Sequence, residues 1–314
     1  MSGIPVGISA CLLGKEVRHD GGHKHSRFCT RVLAHHFDFH PVCPELEAGL
    51  GVPRPAIHIR RFGDDLRLIE SKGDTDHTSA MQTTIDRVMP ELSHLRGYIL
   101  MAKSPSCGME RIKIHNEQGQ VQDRDGRGLF AAALMVAYPL MPVEEEGRLN
   151  DPLLRENFIE RVFVYDDWLR LQADGLDRQG LIGFHTRHKF QLMAHCEKTY
   201  RELGRLLADL KAAPLAEIAD TYVHALMRAM TKRISRGSHM NVMQHLMGYL
   251  KDRLPDADRS TLVEQIEAYH RGEVPLIVPM TLLRMAQRRE PVDYLAVQEY
   301  LTPYPDELGL RNSV

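Results

Sequence analysis

Pro5–Cys11 reads PVGISAC, a short apolar run that closes on small residues and a cysteine, with Gly14 just beyond. The same design recurs twice. Phe37–Cys43 reads FDFHPVC and stops at Pro44; Gly97–Lys103 reads GYILMAK, stops at Ser104-Pro105 and reaches Cys107 shortly after. Runs this short, bounded by turn residues, have the pattern of strands buried on both faces of a parallel sheet. Helix-like stretches, Arg27–His36 and Thr78–Leu95, lie between them. This alternation predicts a Rossmann-like α/β domain with a mostly parallel sheet. In such sheets ligands bind beyond the carboxyl ends of the strands. Cys11, Cys43 and Cys107, each at or just past a strand end, are therefore expected to converge although they are far apart in sequence. Cys29 and Cys196 lack that placement.

The character of the chain changes past residue 143. Pro139–Gly147 holds two prolines and the acidic run Glu144-Glu145-Glu146, which reads as a linker. Beyond it come helix-period patterns over Phe158–Leu171, His188–Asp209, Ala213–Met230, Met240–Arg253, Ser260–Arg271 and Pro279–Arg288, with few strand signals. The expected organisation is an α/β domain over residues 1–143 and an all-α domain over residues 152–314. Gly237-Ser238-His239-Met240 has the look of a tag-cleavage scar, but it runs straight into a helical pattern and is read as native sequence.

Composition narrows the function. The chain of 314 residues is 43% hydrophobic and 26% charged with a formal net charge of -2, so it is not a polycation built for indiscriminate nucleic-acid binding. Its first residues lack the basic start and apolar run of a signal peptide, and no stretch approaches the roughly 20 apolar residues that cross a bilayer. A cytoplasmic protein with no membrane contact is expected. Five scattered cysteines form no secreted-type disulfide framework.

Thiolates are soft ligands that suit iron–sulfur clusters or zinc. The absence of a compact C-x-x-C argues against a zinc-finger site. Three thiolates would leave one iron of a four-iron cluster without a protein ligand, the open position a Lewis-acid centre needs. Cys43-Pro44-Glu45 sets a carboxylate two residues from a thiol, and Ser104-Pro105-Ser106-Cys107 sets two hydroxyls beside another. The 17 histidines show no H-E-x-x-H spacing, and Met227, Met230, Met240, Met243 and Met247 read as helical core.

The segments SACLLGKEVRHDGG (Ser9–Gly22), VCPELEAGLGVPR (Val42–Arg54) and AKSPSCG (Ala102–Gly108) resemble the signature of the thiouracil desulfidase family. His185–Gly204, Asn241–Lys251 and Tyr300–Asn312 resemble a YbgA-like helical domain. The resemblance implies a 4Fe-4S cluster held by Cys11, Cys43 and Cys107 with one open iron. It implies catalytic roles for Glu45 and Ser104, with Ser106 close enough to exchange roles with Ser104. His19 departs from the motif, which has an aromatic residue there. The implied activity is a non-redox, hydrolytic desulfuration of thiolated pyrimidines, whether 2- or 4-thiouracil or 4-thiouridine in tRNA, giving uracil or uridine and hydrosulfide. The helical half would then contact tRNA through His185, Arg187, His188 and Lys189 and through Lys232, Arg233 and Arg236. The competing expectation is an RNA-binding or redox-sensing module whose cluster is structural.

Overall fold

The computed structural model describes residues 3–314, and the chain divides into two compact units between Asn150 and Asp151.

The first unit is built on a four-stranded parallel sheet formed by β1 (Ile4–Ser9), β2 (Phe37–Val42), β5 (Tyr98–Leu100) and β8 (Val143–Glu145), in the order β2-β1-β5-β8. Ile4, Val6 and Ile8 of β1 are buried, as a central strand covered on both faces requires. From β1 the chain steps to one side to form β2, then crosses to the other side for β5, so the strand order reverses about β1. That reversal opens a crevice at the carboxyl ends of β1 and β5. Register places Ser9 opposite Val42 and Ile8 opposite Ile99, which aligns the three carboxyl ends.

Three helices accompany the sheet: α1 (Arg27–Arg31), α3 (Thr78–Val88) and α4 (Leu129–Ala137). A fourth, α2 (Pro44–Glu47), is a single turn that starts directly after Cys43. A second sheet, β4-β3-β6-β7, was not foreseen. It pairs β3 (Ile57–Phe62) with β4 (Asp65–Glu70) and β6 (Ile112–His115) with β7 (Val121–Gly126) as antiparallel hairpins, joined through parallel β3 and β6.

The segment read as a linker contains edge strand β8, and Glu144 and Glu145 are buried rather than solvated. Burial is tolerated because both carboxylates are met: Arg148 Nε donates to Glu144 at 2.6 Å, and the Met109 N–H donates to Glu145 at 2.9 Å.

The second unit is helical throughout: α5 (Pro152–Ala173), α6 (Arg178–His195), α7 (Glu197–Ala208), α8 (Leu215–Met230), α9 (Arg236–Gly248), α10 (Asp256–Arg271), α11 (Ile277–Arg289) and the short α12 (Asp293–Ala296). Asp151 caps α5 by accepting from the Leu153 and Leu154 N–H groups, with Pro152 at the first helical position. The pattern read as one helix over His188–Asp209 is two, broken at Cys196, whose φ of -159° and ψ of 96° are extended. Trp168 stacks on Tyr222 and meets Phe184 edge-on, all three fully buried. Met227, Met230 and Met243 are buried, and Met240 and Met247 pack against the core from its edge. His239, inside the tetrapeptide that resembles a tag scar, is 1% exposed and bonded to the Tyr300 hydroxyl at 2.8 Å, so those residues are integral to the fold.

Candidate active site

Past the carboxyl ends of β1, β2 and β5 lies one cavity of about 570 Å³, rimmed by Cys11, Cys43, Cys107, Glu45, Ser104 and Arg54 among others. Cys11 sits in a 3-10 turn over Ala10–Leu13, closed by Gly14 in the left-handed region at φ 86°. Cys43 occupies the cap position of α2. Cys107 sits on the loop after β5, and that loop is pinned by α4. The Leu129 N–H donates to the Pro105 carbonyl at 3.1 Å and the Ala131 N–H to the Ser106 carbonyl at 3.1 Å. These bonds satisfy N–H groups that a helix start leaves free. Gly128 permits the contact, because a Cβ there would stand 2.4 Å from the Ser106 carbonyl oxygen.

Burial raises the Cys11 thiol to about 11, with the neighbouring Cys43 charge adding to it. Burial likewise raises Cys43, and it raises Cys107 strongly, with Glu45, Cys43 and Cys11 contributing. The three thiols thus feel one another electrostatically. Left alone they disfavour the charged form, and a bound cationic centre would reverse that preference. Among the described residues no group of His, Cys, Asp and Glu is arranged to hold a single metal ion. Three soft donors spread round a cavity fit a larger polynuclear centre, which keeps its ligands further apart.

Glu45 is held on both oxygens. Ser106 Oγ donates to Oε1 at 2.9 Å and Ser104 Oγ donates to it at 3.3 Å, while Arg54 donates to Oε2 from Nε at 3.1 Å and Nη2 at 2.5 Å. Arg54 is fastened in turn by the Gly51 and Val17 carbonyls, which accept from it at 2.8 and 3.0 Å. The two serines differ in place. Ser106 is fully buried behind the wall, whereas Ser104 lines the cavity. Ser104 Oγ also accepts the Ser106 and Cys107 N–H groups at 3.2 and 3.1 Å, which commits its own proton to Glu45.

Arg54 was missed as a site residue, although it closes the Val42–Arg54 motif. The available signal was one arginine a few residues past a carboxylate in a Gly- and Pro-rich turn, and nothing in that spacing says that the chain folds back. Tyr98, on β5, does not line the cavity. Its hydroxyl is fully buried with no hydrogen-bond partner, and burial together with the nearby Cys107, Cys43 and Cys11 charges raises its pKa well above the usual value.

Cys29 and Cys196 stand outside the set. Cys29 is fully buried, and burial raises it to about 11. Cys196 lies in the helical unit at the start of α7. Burial alone would raise its thiol, but bonds from Thr199 and the Lys232 ammonium, 3.1 Å away, outweigh that and bring it to about 7. Its thiolate is therefore favoured relative to an ordinary thiol. Iodoacetamide should label Cys196 roughly tenfold faster than an ordinary thiol near pH 7, and Lys232→Met should slow it; peptide mapping by mass spectrometry reads both.

The cations expected to offer a surface to RNA are largely engaged. Arg187 donates to Asp167 at 2.5 Å, and His188, 3% exposed, bonds Asp167 and Gln191. Lys189 lies over the Phe190 and Tyr294 rings, and burial holds the His185 imidazole down to about 4. Lys232, Arg233 and Arg236 remain exposed, Lys232 on Cys196 and Arg236 over Tyr269.

The first unit is thus an α/β domain with a reversed-order parallel sheet and, at the carboxyl edge of that sheet, three thiols and a clamped carboxylate round one cavity. Residues 6–146 match the family model described as 2-thiouracil desulfurase, and residues 189–305 match DUF1722, a family of unknown function. The chain is a fusion of a 2-thiouracil desulfurase family domain with a DUF1722, or YbgA-like, domain. The uncharacterized protein YbgA of Escherichia coli (strain K12) is 29% identical over 154 residues, covering 49% of this chain and 91% of YbgA. A solved structure titled 4Fe-4S-dependent thiouracil desulfidase TudS is 28% identical and covers 48% of this chain and 95% of its own, with a TM-score of 0.39. No described helix is long and apolar enough to cross a membrane.

Proposed function

We propose that the α/β unit removes sulfur hydrolytically from thiolated pyrimidines, using a 4Fe-4S cluster held by Cys11, Cys43 and Cys107, with Glu45 as the acid–base group and Ser104 as its partner. The observation that carries this is the Glu45 carboxylate, clamped by Arg54, Ser104 and Ser106 on the wall of the cavity that the three thiols rim. Membership of the desulfurase family supports it independently.

When bound, a cluster with one iron free of protein ligands supplies a soft Lewis acid for a thiocarbonyl sulfur. The remaining chemistry falls to side chains of this chain. Glu45 Oε1 takes a proton from water approaching the ring carbon, or returns one to the ring nitrogen. Ser104 holds that oxygen in place and is the hydroxyl that can turn toward the cavity, since Ser106 is sealed behind it. Arg54 fixes the plane of the carboxylate through Oε2, so the working oxygen keeps its aim. No electron donor is needed, because the C–S bond is exchanged for C–O without a change in oxidation state: water supplies the oxygen and hydrosulfide leaves.

In the finer form of the proposal the substrate is 4-thiouridine in tRNA and the helical unit contacts the RNA. Exposed Lys232, Arg233 and Arg236 support that role. The test is anaerobic purification followed by iron and labile-sulfide analysis and by hydrosulfide release from 4-thiouracil. Cys107→Ala and Cys11→Ala should each lose the cluster's visible absorbance and turnover together. Protein that holds zinc with neither iron nor labile sulfide overturns the assignment.

A further inference from the structure

The helical unit holds a thiol–amine pair that the desulfuration does not use. Cys196 interrupts the helix between α6 and α7 in an extended conformation and is half-buried. Two donors meet its sulfur, the Lys232 Nζ at 3.1 Å and the Thr199 hydroxyl at 3.4 Å. The acid next to the thiol, Glu197, is taken by Arg201 at 2.5 Å. Among the described residues no carboxylate pairs with Lys232, so its ammonium is left to the sulfur.

The contact is built from both ends. His195, the residue before Cys196, donates from Nδ1 to the Lys232 carbonyl at 2.6 Å. Its Nε2 meets the buried Glu160 carboxylate at 3.0 Å, and Gln191 donates to the same carboxylate at 2.9 Å. The Cys196 N–H donates to the Leu192 carbonyl at 2.8 Å, and the Lys232 N–H to the Ala229 carbonyl at 3.1 Å. The corner between α6 and α7 is thereby fastened to the turn between α8 and α9. A surface lysine that wanders onto a cysteine has only its own flexible stem to hold it there, at a cost in rotamer freedom. Here the residue before the thiol grips the backbone of the residue that carries the amine, so both side chains start from a fixed separation. Lys232 is exposed and Cys196 is open in part, so a small oxidant reaches the sulfur.

We infer that Cys196 and Lys232 form a reversible covalent bridge in response to peroxide, a sulfenamide bond between Sγ and Nζ. The thiolate attacks one oxygen of hydrogen peroxide, the O–O bond breaks, and the sulfur becomes a sulfenic acid. The hydroxide set free takes a proton from the Lys232 ammonium and leaves as water. The neutral Nζ then attacks Sγ, the S–O bond breaks, and the departing hydroxide carries off an amine proton as a second water. Sulfur gives up two electrons and peroxide accepts them, so no further reductant or oxidant is needed. Sulfenic acids close onto nearby nitrogen in this manner. The lowered pKa of Cys196 supplies the thiolate that the first step consumes. A free thiol reverses the bond by attacking sulfur, which releases the amine and leaves a mixed disulfide for a second thiol to clear. While it lasts, the bridge staples the two corners together and removes one exposed ammonium from that surface.

The test exposes anaerobic full-length protein to a slight excess of hydrogen peroxide, then to iodoacetamide, and maps its peptides by mass spectrometry without reductant. The parent is expected to give the Cys196 and Lys232 peptides joined and short of two hydrogens, and dithiothreitol should part them. Lys232→Arg keeps a positive charge beside the sulfur, but its guanidinium stays protonated and does not attack. In that variant the joined peptide should be lost, and dimedone should trap a sulfenic acid at Cys196 that it does not find in the parent. Lys232→Met should also lose the joined peptide and should oxidise more slowly. The readout lies in these two peptides, so peroxide damage at any other cysteine leaves it unchanged. The proposal is overturned if Cys196 of the parent stays fully open to iodoacetamide after peroxide, or if it passes to sulfinic acid with no joined peptide. A joined peptide that has gained oxygen overturns the S–N bond. Equal joining in urea-unfolded protein overturns the part assigned to the fold.

Discussion

Glu45→Gln is expected to lower turnover of thiolated pyrimidine about 10²- to 10⁴-fold while leaving the cluster's visible absorbance intact, which is the range a positioned acid–base group contributes. The one amide oxygen of glutamine can accept from the two serine hydroxyls or from Arg54, not from both, but Arg54 keeps its bonds to the Gly51 and Val17 carbonyls, so the wall of the cavity should stand. What glutamine loses is the ability to take and return a proton. Glu45→Asp restores the acid but withdraws it from both serines, and part of the activity should return. Absorbance together with steady-state hydrosulfide release makes the distinction. Activity retained in Glu45→Gln would remove this residue from the chemistry, and lost absorbance would make it a structural support of the cysteines instead.

The second large effect concerns stability of the helical unit. Arg311 and Glu156 are 5% and 6% exposed and paired at 3.1 Å, with the Tyr304 hydroxyl donating to the same carboxylate oxygen at 2.6 Å and Arg311 Nη1 donating to the Tyr300 carbonyl at 2.9 Å. Burial alone would make the guanidinium easier to discharge, but Tyr304 and Glu156 reverse this and raise its pKa. Arg311→Met leaves Glu156 buried without its counter-charge and should cost about 3–5 kcal/mol. Replacing both partners, Glu156→Leu with Arg311→Met, should recover much of that, because no buried charge is then stranded. The chain's single tryptophan, Trp168, lies in this unit, so its fluorescence during urea unfolding reports on the helical half. A single variant that loses under about 1 kcal/mol would show that water reaches the site.

The convergence of the cysteines could be read from sequence because it depends on local signals. Each strand announces itself by an apolar run, and each run ends on residues that cannot continue a strand. The second sheet gave no such signal. β7 is Val-Gln-Asp-Arg-Asp-Gly, mostly exposed and without apolar alternation, so its identity comes from pairing with β6. β8 was hidden for the opposite reason: its two glutamates look like a solvated linker until Arg148 and the Met109 N–H are seen to meet them. The break at Cys196 was hidden too, since helical periodicity continues through it.

The sequence by itself determined the α/β and helical halves and three strands of the parallel sheet, and its motifs carried the family resemblance that grouped the cysteines, carboxylate and hydroxyls into one set. The halves and the strands follow from hydrophobic period and from residue types at strand ends, which are local properties. Only the tertiary structure decided that Arg54 clamps Glu45, that Ser104 lines the cavity while Ser106 is sealed behind it, and that Arg187, His188 and Lys189 of the helical unit are engaged. Each of these depends on which polar or charged group finds a partner. A charge commits to a partner only when folding brings the two within a few ångströms out of water, and sequence spacing does not encode that distance.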